Sequence, residues 1–169
     1  MGARTHPKGP IPEQFAGYFD ALEEQASEAD AEMFHQCFGC GPAHPTGLRV
    51  RRFRKDGGVV SPILIAREYE GPPGTAHGGI VAAYMDEVLA GAVTERIGRS
   101  GVTGELTVRY VRPVPTARPL IGRAQATGVT ERYVDVEGVL EEFGTGAVVA
   151  KARGRFFPDA GVTGPGRVL

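Results

Sequence analysis

The chain lacks the residue patterns that mark several classes of protein. It has only two cysteines among 169 residues, too few for a disulfide framework. Its formal net charge is -1, and no long basic or acidic block is present that would suit a nucleic acid or a charged membrane surface. No basic and then apolar segment resembles a signal peptide, and no stretch is apolar for long enough to span a bilayer. We therefore expect a cytoplasmic protein with no nucleic-acid or membrane partner.

The composition is otherwise that of an ordinary globular protein. Hydrophobic residues make up 41% of the chain and charged residues 23%, which suits one domain with a single core. Residues 1–11 are rich in Gly, Pro and Lys without periodicity, and residues 159–169 are rich in Gly. We expect both ends to be flexible tails and residues 12–158 to form the domain.

The rest of the domain is organised around residues 71–97, GPPGTAHGGIVAAYMDEVLAGAVTERI. A Pro/Gly-rich loop there leads into a strongly apolar segment of helical length. At about 100° per residue this helix is apolar nearly all round, as is typical of a helix buried on several sides. A membrane span is excluded because charged residues interrupt the segment too early. One side of the helix combines small residues with a single carboxylate: Gly79, Ala83, Asp86 and Ala90.

Asp86 is the strongest functional candidate in the sequence. A buried carboxylate is unfavourable by several kcal/mol unless it is paired, hydrogen-bonded or kept for a task. The alternative interpretation is an interface aspartate that caps a neighbouring element, and the pattern alone favours neither.

A second helix is predicted near the N-terminus. From Pro12, which suits a first helical turn, the sequence to Phe34 has large apolar residues at helical spacing and acidic residues on the other face. These apolar residues are Phe15, Tyr18, Phe19 and Leu22. We expect an amphipathic helix that packs this narrow stripe on the domain.

The segment that follows contains both cysteines, as Cys37 and Cys40, between His35 and His44. Two thiols and two imidazoles could supply the four ligands of a structural zinc site. The interleaved glycines and prolines instead favour a tight irregular turn that needs no metal. A redox-active Cys pair is a further alternative. We expect the turn, and no bound metal.

Six extended segments are predicted around the central helix. Residues 48–54 and 59–66 form an opening hairpin, and residues 102–112, 120–130, 133–143 and 147–157 follow the helix. The inward positions of these last strands are often Gly or Ala, which leaves room for a thick element. The sequence therefore predicts an α+β fold, a long antiparallel sheet curled round one helix.

The start of the helix offers chemistry of its own. Free N–H groups at a helix N-terminus carry the positive end of the dipole, and with Gly78 and Gly79 there no side chain screens them. They could bind a phosphate or a carbonyl oxygen that gains charge, as in an oxyanion hole. Gly79 and Asp86 lie about 10 Å apart along the axis, too far for one carbonyl carbon. In a symmetric dimer with two antiparallel helices, Asp86 of one chain would lie close to Gly79 of the other.

Three motifs together resemble the hotdog-fold acyl-CoA thioesterases of the phenylacetate-type (PaaI-like) branch. They are GPPGTAHGG with an acid nine positions after its histidine, CFGCGPAHPTGLRV before it, and GVTGELTVRYVRPVP after it. The resemblance covers roughly residues 34–157. It implies a hotdog fold and metal-free hydrolysis of an acyl-CoA thioester to free acid and CoA, with CoA present only as part of the substrate.

The resemblance also implies a role for individual residues. Gly78 or Gly79 supplies the backbone donor to the thioester carbonyl, and His77 shapes that end of the helix. Asp86 acts as base or nucleophile, and Thr103 matches a position where relatives often carry a hydroxyl that holds the water. Some relatives have an asparagine where this chain has Gly71.

We expect at least a homodimer, and a homotetramer is possible because relatives often form one. A non-catalytic acyl-CoA-binding or regulatory module is the alternative function, since a fold does not fix an activity. A dehydratase is a third option, which needs a different arrangement of acid and histidine.

Overall fold

The computed structural model describes residues 8–25 and 34–159. It contains one α-helix, α1, Gly78–Ile97, and two short 3-10 helices, Glu13–Phe15 and Arg67–Tyr69. Six strands complete the described part: β1, Phe53–Lys55; β2, Gly58–Leu64; β3, Gly101–Tyr110; β4, Pro119–Val129; β5, Val134–Glu142; and β6, Val148–Pro158. The predicted order of one hairpin, one helix and four strands is confirmed, although the first strand is shorter than expected.

The strands form one antiparallel sheet in the order β1-β2-β4-β5-β6-β3. Helix α1 packs against one face of this sheet, which we call the inner face, and contacts β2 to β6. The α+β architecture expected from the sequence, with a long antiparallel sheet round one helix, is therefore confirmed.

The two edges of the sheet differ. Main-chain bonds cover the outer edge of β1, because the Gln25 N–H donates to the Arg52 carbonyl and the Arg54 N–H donates to the Glu23 carbonyl. The outer edge of β3 pairs with no other segment in the part of the chain that the structure describes. A ten-residue open edge is an available site for pairing with another strand.

The inner face accommodates the helix because small residues lie beneath its largest side chains. A Cβ added at Gly122 would lie 2.8 Å from Val88 Cγ2, and one at Gly138 would lie 3.0 Å from Leu89 Cδ2. Both helix residues are fully buried. Close packing of this kind leaves no space for an extra methyl group, so the small residues set how closely the helix approaches the sheet.

Local signals fix both ends of α1. The Nδ1 atom of His77 accepts a hydrogen bond from the Gly79 N–H and caps the first turn. Gly98 ends the helix in the left-handed region, with φ 71°, where a glycine carries no steric penalty. No helix among the described residues is long and apolar enough to cross a membrane.

The prediction of an N-terminal helix is wrong for the described residues. Between residues 8 and 25 the chain forms only the 3-10 turn and further turns, and Gly17 at φ 80° interrupts any helical continuation. The aromatic stripe nevertheless packs on the domain, on the outer face of the sheet. Two residues of the stripe are buried there together with three residues of the sheet, and these five form what we call the outer cluster: Phe15, Phe19, Phe53, Val60 and Ile121. Large apolar residues that recur every three or four positions are therefore compatible with a series of turns as well as with a helix.

Several sequence expectations concern residues that the structure does not describe. Residues 26–33, in the C-terminal part of the expected helix, lie outside the described ranges, as do 1–7 and 160–169 of the two expected tails. Within the first tail, the Lys8 ammonium donates to the Val50 carbonyl at 3.2 Å. The limits of the domain at 12 and 158 stay a prediction.

Candidate active site

The start of α1 leaves one backbone donor free. The Gly79 N–H donates to His77 Nδ1 at 3.1 Å, while the N–H groups of Ile80 and Val81 both donate to the His77 carbonyl. The Gly78 N–H has no hydrogen-bond acceptor among the described residues. Of the two glycines expected to serve as donor, Gly78 is therefore the one that can bind a ligand oxygen without breaking a cap.

His77 is the N-cap residue of α1. Its own N–H donates to the Tyr69 carbonyl at 2.8 Å, which ties the loop before the helix to the short 3-10 turn. Its imidazole is exposed and acts as the N-cap. The observed role of His77 is thus to orient the helix start.

Tyr110 contacts the helix start, which the sequence alone did not reveal. Its hydroxyl donates to the Gly78 carbonyl at 2.6 Å. A Cβ added at Gly78 would lie 3.3 Å from the Tyr110 hydroxyl oxygen, so the phenol lies close over the glycine. The sequence offered no signal for this contact, because it depends on where β3 lies relative to α1.

Asp86 and Thr103 lie together at the side of α1. The Thr103 hydroxyl donates to Asp86 Oδ1 at 2.8 Å, and the carboxylate is half-buried on α1. Burial raises the pKa of Asp86 above its ordinary value, and the hydrogen bond from Thr103 partly opposes that rise. A carboxylate with a raised pKa beside a hydroxyl is a suitable proton acceptor.

The register of β3 explains why Thr103 faces the helix. Thr103 lies opposite Phe156, a fully buried residue of the inner face, and opposed residues of an antiparallel pair point to the same side. The register then shifts between Thr103 and Glu105, at Gly104. A Cβ at Gly104 would meet the Phe157 ring, so glycine permits the bulge that directs Thr103 inward.

The neighbouring acid, Glu87, points elsewhere. Its carboxylate lies 3.8 Å from Arg52 Nη1 and 3.9 Å from Cys37 Sγ, and Gly39 packs closely on it. Burial raises the pKa of Glu87, while Arg52 lowers it. Glu87 therefore joins the helix to the segment that precedes β1, and Asp86 is the acid on the open side.

The cysteine turn does not assemble the zinc ligands that the sequence offered. Among the described residues, the ligand atoms of Cys37, Cys40 and Glu87 lie within 4.8 Å of one another, and neither nearby histidine belongs to this group. His44 Nδ1 accepts the Thr46 N–H instead. Both cysteines are free, and burial raises the pKa of Cys40 well above its ordinary value. A thiol that stays protonated is a poor redox nucleophile.

The helix side that carries Asp86 is incompletely covered by its own protomer. Ala83, Asp86 and Ala90 are half-buried and Gly79 is exposed. The adjoining strand is exposed as well, with 56% of Val102 accessible. An apolar and small-residue surface of this kind beside an open strand edge is suited to a partner.

A wide groove of about 730 Å³ lies away from these residues. It crosses the strands from the β1–β2 turn to β3, and its charged lining is mostly basic: Lys55, Asp56, Arg109, Arg123, Glu137, Lys151 and Arg153. None of the expected site residues lines it. The candidate chemistry is therefore confined to the side of α1 and to the inner side of β3.

Comparison with known proteins indicates which family the chain resembles. A family model described as the thioesterase superfamily matches residues 73–149, a range that includes His77, Gly78, Asp86 and Thr103. No curated protein matched the chain. A solved structure described as a thioesterase superfamily protein is 31% identical with a TM-score of 0.62, and the match covers 70% of this chain. The chain spans 61% of the length of that protein.

Two further structures extend the comparison. One, from Ralstonia eutropha JMP134, is described as a candidate thioesterase related to phenylacetic acid degradation; it is 27% identical, with a TM-score of 0.58, over 65% of this chain and 85% of that one. Another, a hypothetical thioesterase from Streptococcus pneumoniae TIGR4 with coenzyme A, is 21% identical, with a TM-score of 0.56, over 62% of this chain and 82% of that one. The last identity shows the fold alone. This chain is therefore similar to the thioesterase superfamily over residues 73–149, and its sheet round a single helix agrees with the fold of the thioesterase structures that it matches.

Proposed function

We propose that the chain hydrolyses an acyl-CoA thioester to a free acid and CoA. The observation that carries this proposal is the Asp86–Thr103 hydrogen bond on an open helix face, on the same helix as the free Gly78 N–H. A carboxylate retained with a raised pKa in a partly covered site is typical of a catalytic acid or base. The neighbour that contains CoA supports CoA as the leaving group.

The two parts of the site come from two protomers in this proposal. Gly78 and Asp86 are eight residues apart in one helix, which is about 12 Å along the axis, too far for both to act on one carbonyl. A twofold axis beside the small-residue face would place Asp86 of one protomer opposite Gly78 of the other. The open edge of β3 supports the same arrangement, because it can pair with its own copy across that axis. We propose at least a homodimer with two composite sites.

The chemistry follows from what these groups can do. The Gly78 N–H, at the positive end of α1, donates to the thioester carbonyl oxygen and stabilises the charge that forms there. Asp86 of the other protomer accepts a proton from water, and the Thr103 hydroxyl oxygen is placed to accept a second hydrogen bond from that water.

The hydrolysis needs no further reagent. The water oxygen bonds to the carbonyl carbon, the resulting tetrahedral intermediate collapses, and the C–S bond breaks. The CoA thiolate takes the proton back from Asp86, so atoms and charges balance. Direct attack by the Asp86 carboxylate, giving an anhydride that water then hydrolyses, is the alternative route for the same residues. Neither route uses a metal.

A thiol-release assay tests the proposal. Purified protein is given a panel of short, long and aromatic acyl-CoA thioesters, and free CoA is measured with a thiol reagent. We expect turnover with at least one of them, lost in Asp86→Asn. The competing function is a non-catalytic acyl-CoA-binding or regulatory module. Tight binding of acyl-CoA with no thiol release from any thioester would favour that module and overturn hydrolysis.

A further inference from the structure

We propose that Tyr110 is a positioning residue for Gly78: it holds the Gly78–Gly79 peptide and so restricts rotation of the adjacent His77–Gly78 peptide, whose N–H receives the substrate carbonyl. This inference rests on the proposed function for its kinetic consequence and on the structure for the contact itself. The Tyr110 hydroxyl donates to the Gly78 carbonyl at 2.6 Å, from the last residue of β3.

The helix start needs an external restraint because of its glycines. Two successive glycines lose more conformational freedom on ordering than any other pair, and neither carries a Cβ that would pack. The first residues of a helix also lack main-chain acceptors for their N–H groups. The two glycines therefore contribute no side-chain restraint of their own at this end of the helix.

Two peptide planes flank Gly78, and both are held. In the plane before it, the His77 carbonyl accepts from Ile80 and Val81. In the plane after it, the Gly79 N–H donates to His77 Nδ1, and the Gly78 carbonyl accepts from Tyr110. Of these contacts, only the one from Tyr110 comes from another secondary-structure element. Tyr110 thus ties the peptide next to the donor to the position of β3, and so limits the rotation about Gly78 that would turn the donor.

The same strand carries Thr103, whose hydroxyl bonds to Asp86. Strand β3 therefore contacts α1 at two places: Thr103, near the start of the strand, bonds to Asp86, and Tyr110, at its end, bonds to Gly78. A fixed donor contributes more to transition-state stabilisation than one that must reorient during the reaction. The hydroxyl of Tyr110 acts through the Gly78 peptide, so its loss affects the chemical step more than substrate binding.

Tyr110 is 48% exposed, whereas Phe53 is buried in the outer cluster, on the opposite face of the sheet. Tyr69 is a suitable control because its hydroxyl also donates to a main-chain carbonyl, that of Thr46, at 3.0 Å. Changing Tyr69 to Phe removes an equivalent bond and leaves its own carbonyl, which accepts from His77, in place.

The test compares Tyr110→Phe with Tyr69→Phe. The first readout needs no substrate: hydrogen exchange of the Gly79 amide, measured by NMR on protein labelled with ¹⁵N-glycine. One lost hydrogen bond should speed this exchange by roughly 2- to 10-fold in Tyr110→Phe, with little change in Tyr69→Phe. The second is steady-state kinetics, in which we expect kcat to fall about 10-fold in Tyr110→Phe with KM within about twofold, less than the 10²–10³-fold typical of deleting a donor outright.

The outcomes separate the two proposals. Equal Gly79 exchange in both variants would overturn the positioning role, whatever the activity. Faster exchange with parental kcat in Tyr110→Phe would overturn it as well, because the fixed orientation would then have no effect on turnover. If the parent protein releases no thiol from any thioester, the proposed function fails, and the exchange rates still decide whether Tyr110 holds the peptide. A purely structural role would lower the melting temperature without a kcat-specific loss.

Discussion

The Thr103 hydroxyl donates to Asp86 Oδ1 at 2.8 Å, so an edge strand and the central helix meet at the one carboxylate that the helix presents on its open side. This bond leaves Oδ2 of Asp86 without a partner among the described residues. The Thr103 oxygen can still accept a bond from a ligand. A water molecule between Oδ2 and Thr103 would therefore be both held and activated.

Replacing the carboxylate tests its role directly. Asp86→Asn keeps the shape and the bond from Thr103 but removes the proton acceptor, so turnover should fall by roughly 10²–10⁴-fold. Glu87→Gln is the matched control, since it changes the adjacent acid in the same way; that acid faces Arg52 and Cys37. Near-parental turnover in Asp86→Asn, with the oligomer intact, would place the chemistry elsewhere.

Labelling with ¹⁸O can distinguish Asp86 acting as a base from Asp86 acting as a nucleophile. In ¹⁸O water under single turnover, direct attack by Asp86 followed by hydrolysis of the anhydride at the acyl carbon leaves its label in the product acid. Hydrolysis at the Asp86 carbon places ¹⁸O in the protein instead. Mass spectrometry of the peptide with Asp86 should show no label if the carboxylate is a base. Label in this peptide after one turnover would establish the nucleophile.

Two substitutions at Thr103 separate the role of its hydroxyl from that of its shape. Thr103→Ser keeps the hydroxyl, and Thr103→Val keeps the shape but loses the donor to Asp86 and the acceptor to water. We expect kcat to fall about 10-fold in the valine variant, as for a single lost hydrogen bond to a charged group, and much less in the serine variant. Equal kcat values for serine and valine would show that the hydroxyl does not serve the reaction.

Assembly provides an independent prediction. A composite site requires a dimer, so light scattering at micromolar concentration should give at least twice the chain mass, with a tetramer as the larger possibility. Ala83→Arg puts a charge on the half-buried side of α1 and should give an inactive monomer. Val129→Arg is the control, because it adds the same charge at a residue that is 44% exposed at the end of β4, a strand separated from β3 by β5 and β6. A fully active monomer would contradict the composite site.

The central helix and the sheet could be predicted because each depends on local pattern. Gly98 and the loop before His77 bound an apolar segment of helical length, and alternation marks the strands. The pairing of Asp86 with Thr103 came from resemblance, since their contact spans 17 positions and depends on the bulge at Gly104. Tyr110 was missed for the same reason: its bond to Gly78 spans 32 positions, and no periodicity encodes it.

The cysteine segment was predicted to be a turn without metal, and this stays a prediction. Cys37, Cys40 and Glu87 supply three close ligand atoms, but Arg52 lies beside Glu87 and disfavours an added cation. Elemental analysis of protein purified without chelator should show far less than one zinc per chain. The double change of both cysteines to serine should leave activity largely intact. One zinc per chain, lost in that variant, would reverse the interpretation.

The last prediction concerns stability and the pKa of Asp86. Burial raises this pKa in the folded state, so the folded protein binds the proton more tightly than the unfolded chain does. The ionised carboxylate is therefore unfavourable for folding once the pH exceeds the folded pKa. The penalty fades as the pH falls through the folded pKa and is absent below the ordinary value of about 3.9.

Asp86→Asn carries no such charge, so it should melt at a higher temperature than the parent at pH 7. Repeating the melts at lower pH should show the difference shrinking towards the acid limit. The parent should also show a rate that rises with pH through the raised pKa, because only the ionised form accepts the proton. A variant that is inactive and less stable than the parent at pH 7 would mean that Asp86 holds the fold together, and its role would then be that of an interface aspartate.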